Sequence, residues 1–270
     1  MSEFAADLAL ALELVDAADA ITLARFRAAD LAVTTKPDTT PVTDADRAAE
    51  AEVRRLLARV RPDDAVLGEE QGESAGTSGR RWIIDPIDGT KSYARGVCVW
   101  ATLLALEVDS EVVVGVVSAP ALHRRWWASR GGGAWVDDGL FEPGTEAPHR
   151  LAVSGVAELS DASLSYSSLS GWATRPQGLG AFLGLADACW RTRAYGDFWS
   201  HMQVAEGCVD LSCEPEVSRW DLAALQPIVE EAGGRFTDLS GTRGPGGGSV
   251  LASNGLVHEA ALTHLARPNM

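Results

Sequence analysis

One short stretch, residues 82–90 with the sequence WIIDPIDGT, constrains this chain more than any other. Its first part, Trp82–Ile84, is aromatic and β-branched and too short for a helix, which predicts a buried strand. Pro86 follows almost at once and cannot donate a hydrogen bond to a neighbouring strand. We therefore expect Asp85 to stand where a buried strand leaves the core.

The residues after this strand predict the start of a helix. Asp88, Gly89 and Thr90 would form its first turn, where backbone N–H groups lack partners within the helix and the dipole is positive. Such a turn can bind an anion, and the carboxylates beside it can bind a divalent cation. A cation site next to an anion site indicates chemistry on phosphate esters.

Composition limits the partners that such a site can serve. The chain has 270 residues, of which 46% are hydrophobic, enough for a large core in one domain or in two fused halves. Its formal charge of −15 argues against nucleic acid and anionic membranes as partners. A small anionic substrate is still compatible with this charge, because bound metal ions would reverse its sign locally.

The N-terminus and the cysteines indicate a cytoplasmic protein. Residues 1–20 carry five acids and no basic leader, unlike a signal peptide, and no apolar run is long enough to span a bilayer. The four cysteines are scattered without a C-x-x-C pair, which favours reduced thiols over disulfides or a zinc site. The five histidines lack metal-ligand spacing, which disfavours a zinc hydrolase.

Hydrophobic periodicity predicts a mixture of helices and strands in the first half. The predicted elements are a helix over about 3–28, a helix from Thr43 to Val60, a strand over 65–67, a mobile surface loop over 72–79, and a hairpin turn at Asp109 and Ser110. Thr43 and Asp46 form a capping box at the start of the second helix, and Pro62 stops it.

The second half changes to an alternation of strands and helices. Strands are predicted over 162–167, 190–194, 209–213, 234–237 and 249–252, and helices over 178–188, 197–206, 221–232 and 256–265. This rhythm is typical of an α/β unit with a mixed or parallel sheet. The polar, proline-containing segment near Thr145–His149 predicts the boundary, which gives domains of residues 1–147 and 148–270.

Acidic residues cluster where predicted elements begin or end. Asp44 and Asp221 fall at helix starts, where an acid is more often a cap or a dipole partner than a metal ligand. Residues 69–70 follow a strand and, taken alone, are typical of a solvated face. The pair of Asp85 and Asp88 is more informative, because a proline between two acids and a glycine after them are expected when the two acids must converge on one ion. Mg²⁺ prefers such oxygen ligands.

Four motifs follow one another along nearly the whole chain. They are Gly68-Glu69-Glu70, Asp85-Pro86-Ile87-Asp88-Gly89-Thr90, Trp220-Asp221-Leu222-Ala223-Ala224 and Glu231-Ala232-Gly233-Gly234. In this order they resemble the inositol monophosphatase family of Mg²⁺-dependent, lithium-sensitive phosphatases. The resemblance implies an α/β fold built as a layered α/β/α/β/α sandwich, a homodimer, and a small phosphate monoester as substrate.

The resemblance also implies a site for two or three Mg²⁺ ions and inhibition by Li⁺. The implied metal ligands are Glu69, Asp85, the carbonyl of Ile87, Asp88, Asp221 and, for a weaker ion, Asp44. Asp88, Gly89 and Thr90 would bind the phosphate. Glu69 and Thr90, with Asp44 behind Thr90, would orient a water for in-line attack on phosphorus, and Asp221 would position the water that protonates the leaving group.

Specificity is expected from the second half of the chain. Segments 165–168, 194–198 and 214–217 resemble the histidinol-phosphate phosphatase branch of this family, which serves histidine biosynthesis. Asp197 and Glu214 would meet the substrate amino group, because two carboxylates suit a cationic alcohol better than a neutral polyol.

Other interpretations of the second half stay open. Asp197 could instead cap a helix after Gly196. Asn254 would contact the imidazole of histidinol phosphate, within the subunit or across a dimer interface. Arg193 would contact the substrate or stabilise the dimer or the sheet. Trp172 lies in a loop that could cover a pocket. Other phosphate monoesters of the family, such as inositol monophosphate, a sugar bisphosphate or an adenosine bisphosphate, and a non-catalytic binding protein are the alternative functions.

Overall fold

Two large β-sheets organise the computed structural model, which describes residues 3–37, 40–139, 147–175 and 178–266. Eight strands form the first sheet in the order β10-β9-β8-β7-β6-β5-β3-β4 and five form the second in the order β12-β11-β13-β15-β14, with β1 and β2 as a separate pair. The strands are β1 (Val33–Thr35), β2 (Pro41–Thr43), β3 (Ala65–Gly68), β4 (Gly72–Ser74), β5 (Arg80–Asp88), β6 (Ala101–Val108), β7 (Glu111–Ala119), β8 (Arg124–Ser129), β9 (Gly133–Asp137), β10 (His149–Arg150), β11 (Ser163–Ser165), β12 (Arg191–Arg193), β13 (Leu211–Glu214), β14 (Arg235–Thr237) and β15 (Val250–Ser253).

Helices cover both faces of each large sheet. They are α1 (Ala5–Arg25), α2 (Asp44–Val60), α3 (Thr90–Ala94), α4 (Gly178–Ala188), α5 (Asp197–Ala205), α6 (Arg219–Ala223), α7 (Leu225–Glu231) and α8 (His258–Leu265), with short 3₁₀ turns at Pro120–Leu122, Leu159–Asp161 and Ser170–Thr174. No helix in the described ranges combines the length and the apolar character needed to cross a bilayer.

The first sheet buries alternate side chains on opposite faces. On β5, Trp82 and Ile84 pack with α1 and α2, whereas Ile83 packs on the other face with α5 and α7. This follows from the two-residue repeat of a strand, and a run that is apolar at every position fits a strand covered on both sides. The strand β3 is parallel to β5, while β5 and β6 are antiparallel.

The second sheet is mixed and also covered on both sides. The strand β11 runs parallel to β12 and β13, whereas β15 is antiparallel to β13 and β14. On β15, Val250 and Ala252 face α5 and α7, and Leu251 faces α4 and α8. The order of layers is therefore α1 and α2, the first sheet, α5 to α7, the second sheet, and α4 with α8. This confirms the layered α/β/α/β/α sandwich.

Most predicted elements are present, and local chemistry explains the best of them. Thr43 and Asp46 form the expected capping box at the start of α2. Asp109 and Ser110 both have positive φ values, 51° and 69°, as a tight hairpin turn between β6 and β7 requires. The five strands of the second sheet all overlap their predicted ranges.

Two predicted elements differ from the structure. The expected mobile loop over 72–79 is wrong in its first part, because β4 pairs antiparallel with β3 through residues 72–74. The helix predicted over 221–232 is two helices, α6 and α7. Pro227 is the reason, since it has no N–H to donate to the carbonyl of Ala223 four residues earlier.

The predicted division into domains stays a prediction. Residues 143–146 of the boundary segment lie outside the described residues, and β10 (His149–Arg150) pairs with β9 in the first sheet.

A close contact between α7 and the first sheet predicts a stability effect at Gly115. A Cβ atom there would lie 2.7 Å from Cγ of Pro227 and closer still to the carbonyl oxygen of Ala224. We expect Gly115→Ala to lower the free energy of unfolding by about 1–3 kcal/mol, because the contact cannot open without moving α7. Urea unfolding measures this change.

The matched control is Gly184→Ala on α4, where an added Cβ meets nothing within 4 Å. This substitution should leave stability unchanged or raise it by up to about 1 kcal/mol, because alanine favours helix. Equal free energies of unfolding for the two variants would show that α7 and β7 are not in tight contact at Gly115.

Candidate active site

The end of β5 carries two of the predicted acids and is irregular. Asp85 pairs with Leu103 of β6 and Asp88 pairs with Ala101, so the register shifts between them. Pro86 lacks an N–H for the ladder, and its carbonyl accepts a hydrogen bond from Thr102 Oγ1 at 2.8 Å instead. The strand thus continues past its predicted end, and both Asp85 and Asp88 line one cavity.

Gly89 forms the turn between β5 and α3. Its φ of 84° is left-handed, and a Cβ there would lie 3.0 Å from the carbonyl oxygen of Val99 and 3.2 Å from Oδ2 of Asp197. Glycine is therefore required both for conformation and for space. The helix α3 begins at Thr90, two residues later than expected, because Asp88 belongs to β5 and Gly89 is the N-cap. Thr90 Oγ1 donates a hydrogen bond to the carbonyl oxygen of Ile87 at 3.0 Å.

Carboxylates dominate the cavity at this turn, which has a volume of about 310 Å³. Seven acids line it: Glu69, Asp85, Asp88, Asp197, Glu214, Glu216 and Asp221. One carboxylate oxygen each from Asp85, Asp88 and Asp221 lie within 4.8 Å of one another. Asp221 comes from the first turn of α6, where its Oδ2 accepts the N–H of Ser218 at 2.7 Å. The chain thus brings together acids that are 136 positions apart in the sequence, 85 against 221.

Burial and mutual repulsion raise the pKa values of this cluster. Desolvation raises the pKa of Asp85 well above its ordinary value, and the charges of Glu69, Asp88 and Asp221 raise it further. Desolvation likewise raises the pKa of Asp221 to about 7, although the N–H of Ser218 lowers it. Without a cation, these groups therefore retain protons near neutral pH. An oxygen-only cluster of this kind can exchange those protons for a hard divalent cation.

Lys36 is a cation at this site that the sequence did not reveal. Its Nζ lies 2.6 Å from a carboxylate oxygen of Glu69 and 2.6 Å from one of Glu70. Burial lowers the pKa of Lys36, but the hydrogen bonds and charges of the two acids outweigh this effect and raise it above its ordinary value. A single lysine in a polar segment before β2 carries no pattern that could have identified it.

The expected place of Asp44 behind Thr90 is wrong. Asp44 Oδ2 pairs instead with Arg25 at 2.7 Å, and it is Asp46 whose Oδ1 lies 3.4 Å from Thr90 Oγ1. Two residues along a helix point about 200° apart, so only one of these acids can face the site. The capping box selects Asp46, because Thr43 donates to its Oδ2 from N–H at 2.8 Å and from Oγ1 at 2.5 Å. Burial raises the pKa of Asp46 to about 6.

Asp197 lies across the cavity from the end of β5. It is the first residue of α5 and has a positive φ of 47°, while Gly196 holds the capping position, so Asp197 is not the N-cap. Its N–H donates to Ser167 Oγ at 2.8 Å, and the next N–H, of Phe198, donates to Asp88 Oδ2 at 2.6 Å. Burial and the charge of Glu214 raise the pKa of Asp197 to about 6, although Lys91 and His201 lower it.

Glu214 has a buried histidine as its partner. Nε2 of His201 lies 3.0 Å from Oε1 of Glu214, and both residues line the cavity. His201 stands one helical turn after Asp197 on α5 and is only 1% exposed. Sequence reasoning missed it because an isolated histidine on a helix is more often a core residue than a site residue.

Two residues predicted to bind substrate do not reach this cavity. Arg193 is exposed on β12, and its guanidinium donates to the carbonyl of Thr192 at 2.8 Å. Asn254 is buried, and its amide donates to Ser154 Oγ and to the carbonyl of Val156 at 2.9 and 2.7 Å. Neither residue lines the cavity of this subunit, so a contact of Arg193 or Asn254 with substrate stays a prediction.

Trp172 does not cover the cavity either. It is 2% exposed and stacks on Phe182 with ring centroids 4.7 Å apart. It lines a separate cavity of about 240 Å³ on the α4 and α8 side of the second sheet. The sequence left open whether Trp172 covers a pocket, and the cavity that it lines is not the one that holds the carboxylates.

Comparisons with known proteins show the family to which the chain is similar. A model of the inositol monophosphatase family matches residues 5–269. A histidinol-phosphatase of Mycobacterium tuberculosis is 61% identical over 96% of this chain and 97% of its own length, and one of Streptomyces coelicolor is 56% identical over 98% of both. A solved inositol monophosphatase of Zymomonas mobilis is 30% identical, with a TM-score of 0.84 over 99% of this chain and 100% of its own.

The raised pKa of Asp221 predicts how the metal-free protein responds to pH. A carboxyl whose pKa rises from 3.8 to about 7 on folding favours the folded state below pH 4, and this contribution is lost as the pH rises through 7. Asp221→Asn should therefore stabilise the chelator-treated protein at pH 8 by on the order of 1–2 kcal/mol, and not at pH 4.

Urea unfolding with excess chelator at the two pH values measures this difference. Asp187→Asn, an exposed acid on α4, is the matched control and should change stability at neither pH. A change in the free energy of unfolding of Asp221→Asn at pH 8 that is as small as that of Asp187→Asn would contradict the raised pKa of Asp221.

Proposed function

The chain belongs to the inositol monophosphatase family, and from this premise we propose that it is a Mg²⁺-dependent histidinol-phosphatase of histidine biosynthesis. It would hydrolyse histidinol phosphate to histidinol and phosphate. One observation carries the proposal: Asp197 and Glu214 line the same cavity as the cluster of Asp85, Asp88 and Asp221. The cavity thus offers one end for a phosphate with its metal ions and another for a cationic alcohol.

The residues at the phosphate end fit Mg²⁺. Their metal-binding atoms are all oxygens, and burial raises the pKa values of Asp85 and Asp88, an effect that a bound divalent cation would reverse. The proposed ligands are Glu69, Asp85, the carbonyl of Ile87, Asp88 and Asp221. We also propose that the site binds two or three Mg²⁺ ions and that Li⁺ inhibits the enzyme. Bound Mg²⁺ would neutralise the phosphate and lower the pKa of a coordinated water.

The chain itself would orient the attacking water and the ester. Thr90 Oγ1 donates towards Ile87 and Asp46, so its lone pairs can accept a hydrogen bond from a water. Asp46 takes the supporting role that the sequence had given to Asp44. Glu69 would accept the proton that the water releases, and the N–H groups of Gly89 and Thr90 would donate to phosphate oxygens.

The other end of the cavity favours a positive charge. Asp197, Glu214 and Glu216 line it, and among the described lining residues Lys91 is the counterpart cation. An ammonium group placed between Asp197 and Glu214 would relieve the repulsion that raises the pKa of Asp197. A neutral polyol would leave this repulsion in place, which is the physical reason for preferring an amino alcohol.

A second candidate is hydrolysis of inositol monophosphate. It is favoured by the solved inositol monophosphatase of Zymomonas mobilis, whose fold covers 99% of this chain. Other esters of the family, the sugar and adenosine bisphosphates, share the phosphate end. A non-catalytic binding protein is disfavoured, because such a protein would have no need of so many converging carboxylates.

Phosphate release from a panel of esters tests the proposal. With Mg²⁺, kcat/KM should be highest for histidinol phosphate and lower for inositol monophosphate, fructose bisphosphate and adenosine bisphosphate. Equal turnover of histidinol phosphate and inositol monophosphate would overturn the narrow assignment. No turnover of any ester would overturn the assignment as an enzyme.

We also propose a cytoplasmic homodimer. None of Cys98, Cys189, Cys208 and Cys213 is in a disulfide, as expected in a reducing compartment. Trp190, which directly precedes the edge strand β12, is 67% exposed, and Leu183 on α4 is 50% exposed. Large apolar side chains that are exposed suit an interface with a second copy. Sedimentation at micromolar concentration distinguishes dimer from monomer.

The proposed role of Asp88 predicts the effect of one conservative substitution. Asp88→Asn keeps an oxygen that can accept the N–H of Phe198 but removes the negative charge. We expect turnover of every ester to fall below about one thousandth of wild type, with the circular dichroism spectrum unchanged, because a metal ligand is lost. Activity close to wild type would exclude this cluster as the catalytic centre.

The proposed role of Asp197 predicts a selective loss. Asparagine tolerates the positive φ at this position, so Asp197→Asn preserves the turn and removes only the charge. We expect kcat/KM for histidinol phosphate to fall about 30-fold or more, equivalent to about 2 kcal/mol for a lost charge pair. For a neutral ester such as inositol monophosphate the change should stay within about threefold. A parallel loss for both esters would make Asp197 a structural residue.

A further inference from the structure

The carboxylate of Glu50 lies beneath the turn that joins β3 to β4. Glu50 is on α2 and its side chain is fully buried. Its Oε2 accepts the N–H of Glu70 at 2.7 Å, and its Oε1 accepts the N–H of Gln71 at 3.1 Å. A buried carboxylate is costly unless such donors satisfy it, so these contacts hold Glu50 and the turn together.

Arg54 extends this contact to the rest of the hairpin. One helical turn after Glu50, it donates from Nε to Glu50 Oε1 at 2.8 Å. Its two terminal nitrogens donate to Ser74 Oγ at 2.7 Å and to the carbonyl of Gly72 at 2.5 Å. The pair therefore holds both the turn and β4 against α2, and Arg54 balances the buried charge of Glu50.

Gly68 leaves just enough space for Glu50. A Cβ on Gly68 would lie 2.7 Å from Glu50 Oε2 and closer still to two other atoms of that carboxylate. On the opposite side, the N–H of Glu69 donates to the carbonyl of Ile84 on β5 at 3.2 Å. Glu69 is thus held between α2 and β5, and its side chain lines the cavity.

We propose that Glu50 is a positioning residue for Mg²⁺ binding: its carboxylate fixes the turn so that Glu69 faces the metal ligands. The inference rests on the proposed function only in assigning Mg²⁺ to the cluster. Glu50 touches neither ion nor substrate, and it acts through the backbone of the next two residues after Glu69. Groups that orient a ligand in this way commonly contribute about 10–100-fold to metal affinity.

Isothermal titration with Mg²⁺ alone tests the proposal. Glu50→Gln retains the shape of the side chain but places an NH₂ group against the two backbone donors. Gly68→Ala disturbs the same contact from the other side. We expect each variant to bind Mg²⁺ about tenfold or more weakly than wild type, at a temperature where circular dichroism shows it folded.

Glu52→Gln is the matched control. Glu52 lies on the same helix but pairs only locally with Arg55, and it is 29% exposed. This variant should bind Mg²⁺ like wild type. In activity assays, Glu50→Gln should need about tenfold more Mg²⁺ for half-maximal rate, while kcat at saturating Mg²⁺ returns to within about threefold of wild type.

Each possible result of these experiments supports or contradicts the proposed role of Glu50. Unchanged Mg²⁺ affinity in folded Glu50→Gln would overturn the proposal, as would a low kcat that excess Mg²⁺ does not restore. Failure of both Glu50→Gln and Gly68→Ala to fold would also overturn it, since the contact would then serve the fold. A wild-type protein that binds Mg²⁺ but hydrolyses no ester would contradict the proposed function and leave this inference supported by the titration.

Discussion

The repulsion among buried carboxylates is the constraint on which the rest of the structure depends. Asp85, Asp88 and Asp221 bring oxygen atoms within 4.8 Å of one another. Burial raises the pKa of each above that of a solvated acid, and the charges of neighbouring carboxylates raise it further. Such a cluster persists because a backbone N–H holds each carboxylate: that of Ile87, of Phe198 and of Ser218, respectively. The repulsion that destabilises the metal-free site is also the source of its affinity for a cation.

The layered fold positions the carboxylates of this cluster. The irregular end of β5 supplies two acids, the first turn of α6 supplies the third, and the turn after β3 supplies Glu69. The hydrogen bond from Phe198 to Asp88 joins α5 to β5, so the turn that carries Asp197 is tied directly to the carboxylate cluster.

Much of the fold and part of the site could be predicted from the sequence. The capping box of Thr43 and Asp46 and the hairpin at Asp109 were predicted because each depends on neighbours within a few positions. The layered sandwich was predicted from the resemblance of four motifs to the inositol monophosphatase family. The place of Asp44 was predicted wrongly: Asp44 and Asp46 both stand at a helix start, and the capping box of Thr43 and Asp46 was the local signal that Asp46 faces Thr90. Contacts of Arg193 and Asn254 with substrate stay predictions, because neither lines the cavity and their hydrogen-bond partners are groups that no motif encodes.

The sequence by itself indicated the chemical type of this protein: a strand that ends in D-x-x-D-G-T, with further acids before and after it, is typical of a site for cations and an anion. The tertiary structure alone decided which partners complete that site. It brought Lys36 to Glu69, His201 to Glu214 and Glu50 to the turn after β3. Motifs record chemistry along a few consecutive residues, whereas hydrogen bonds between distant elements depend on how the layers pack.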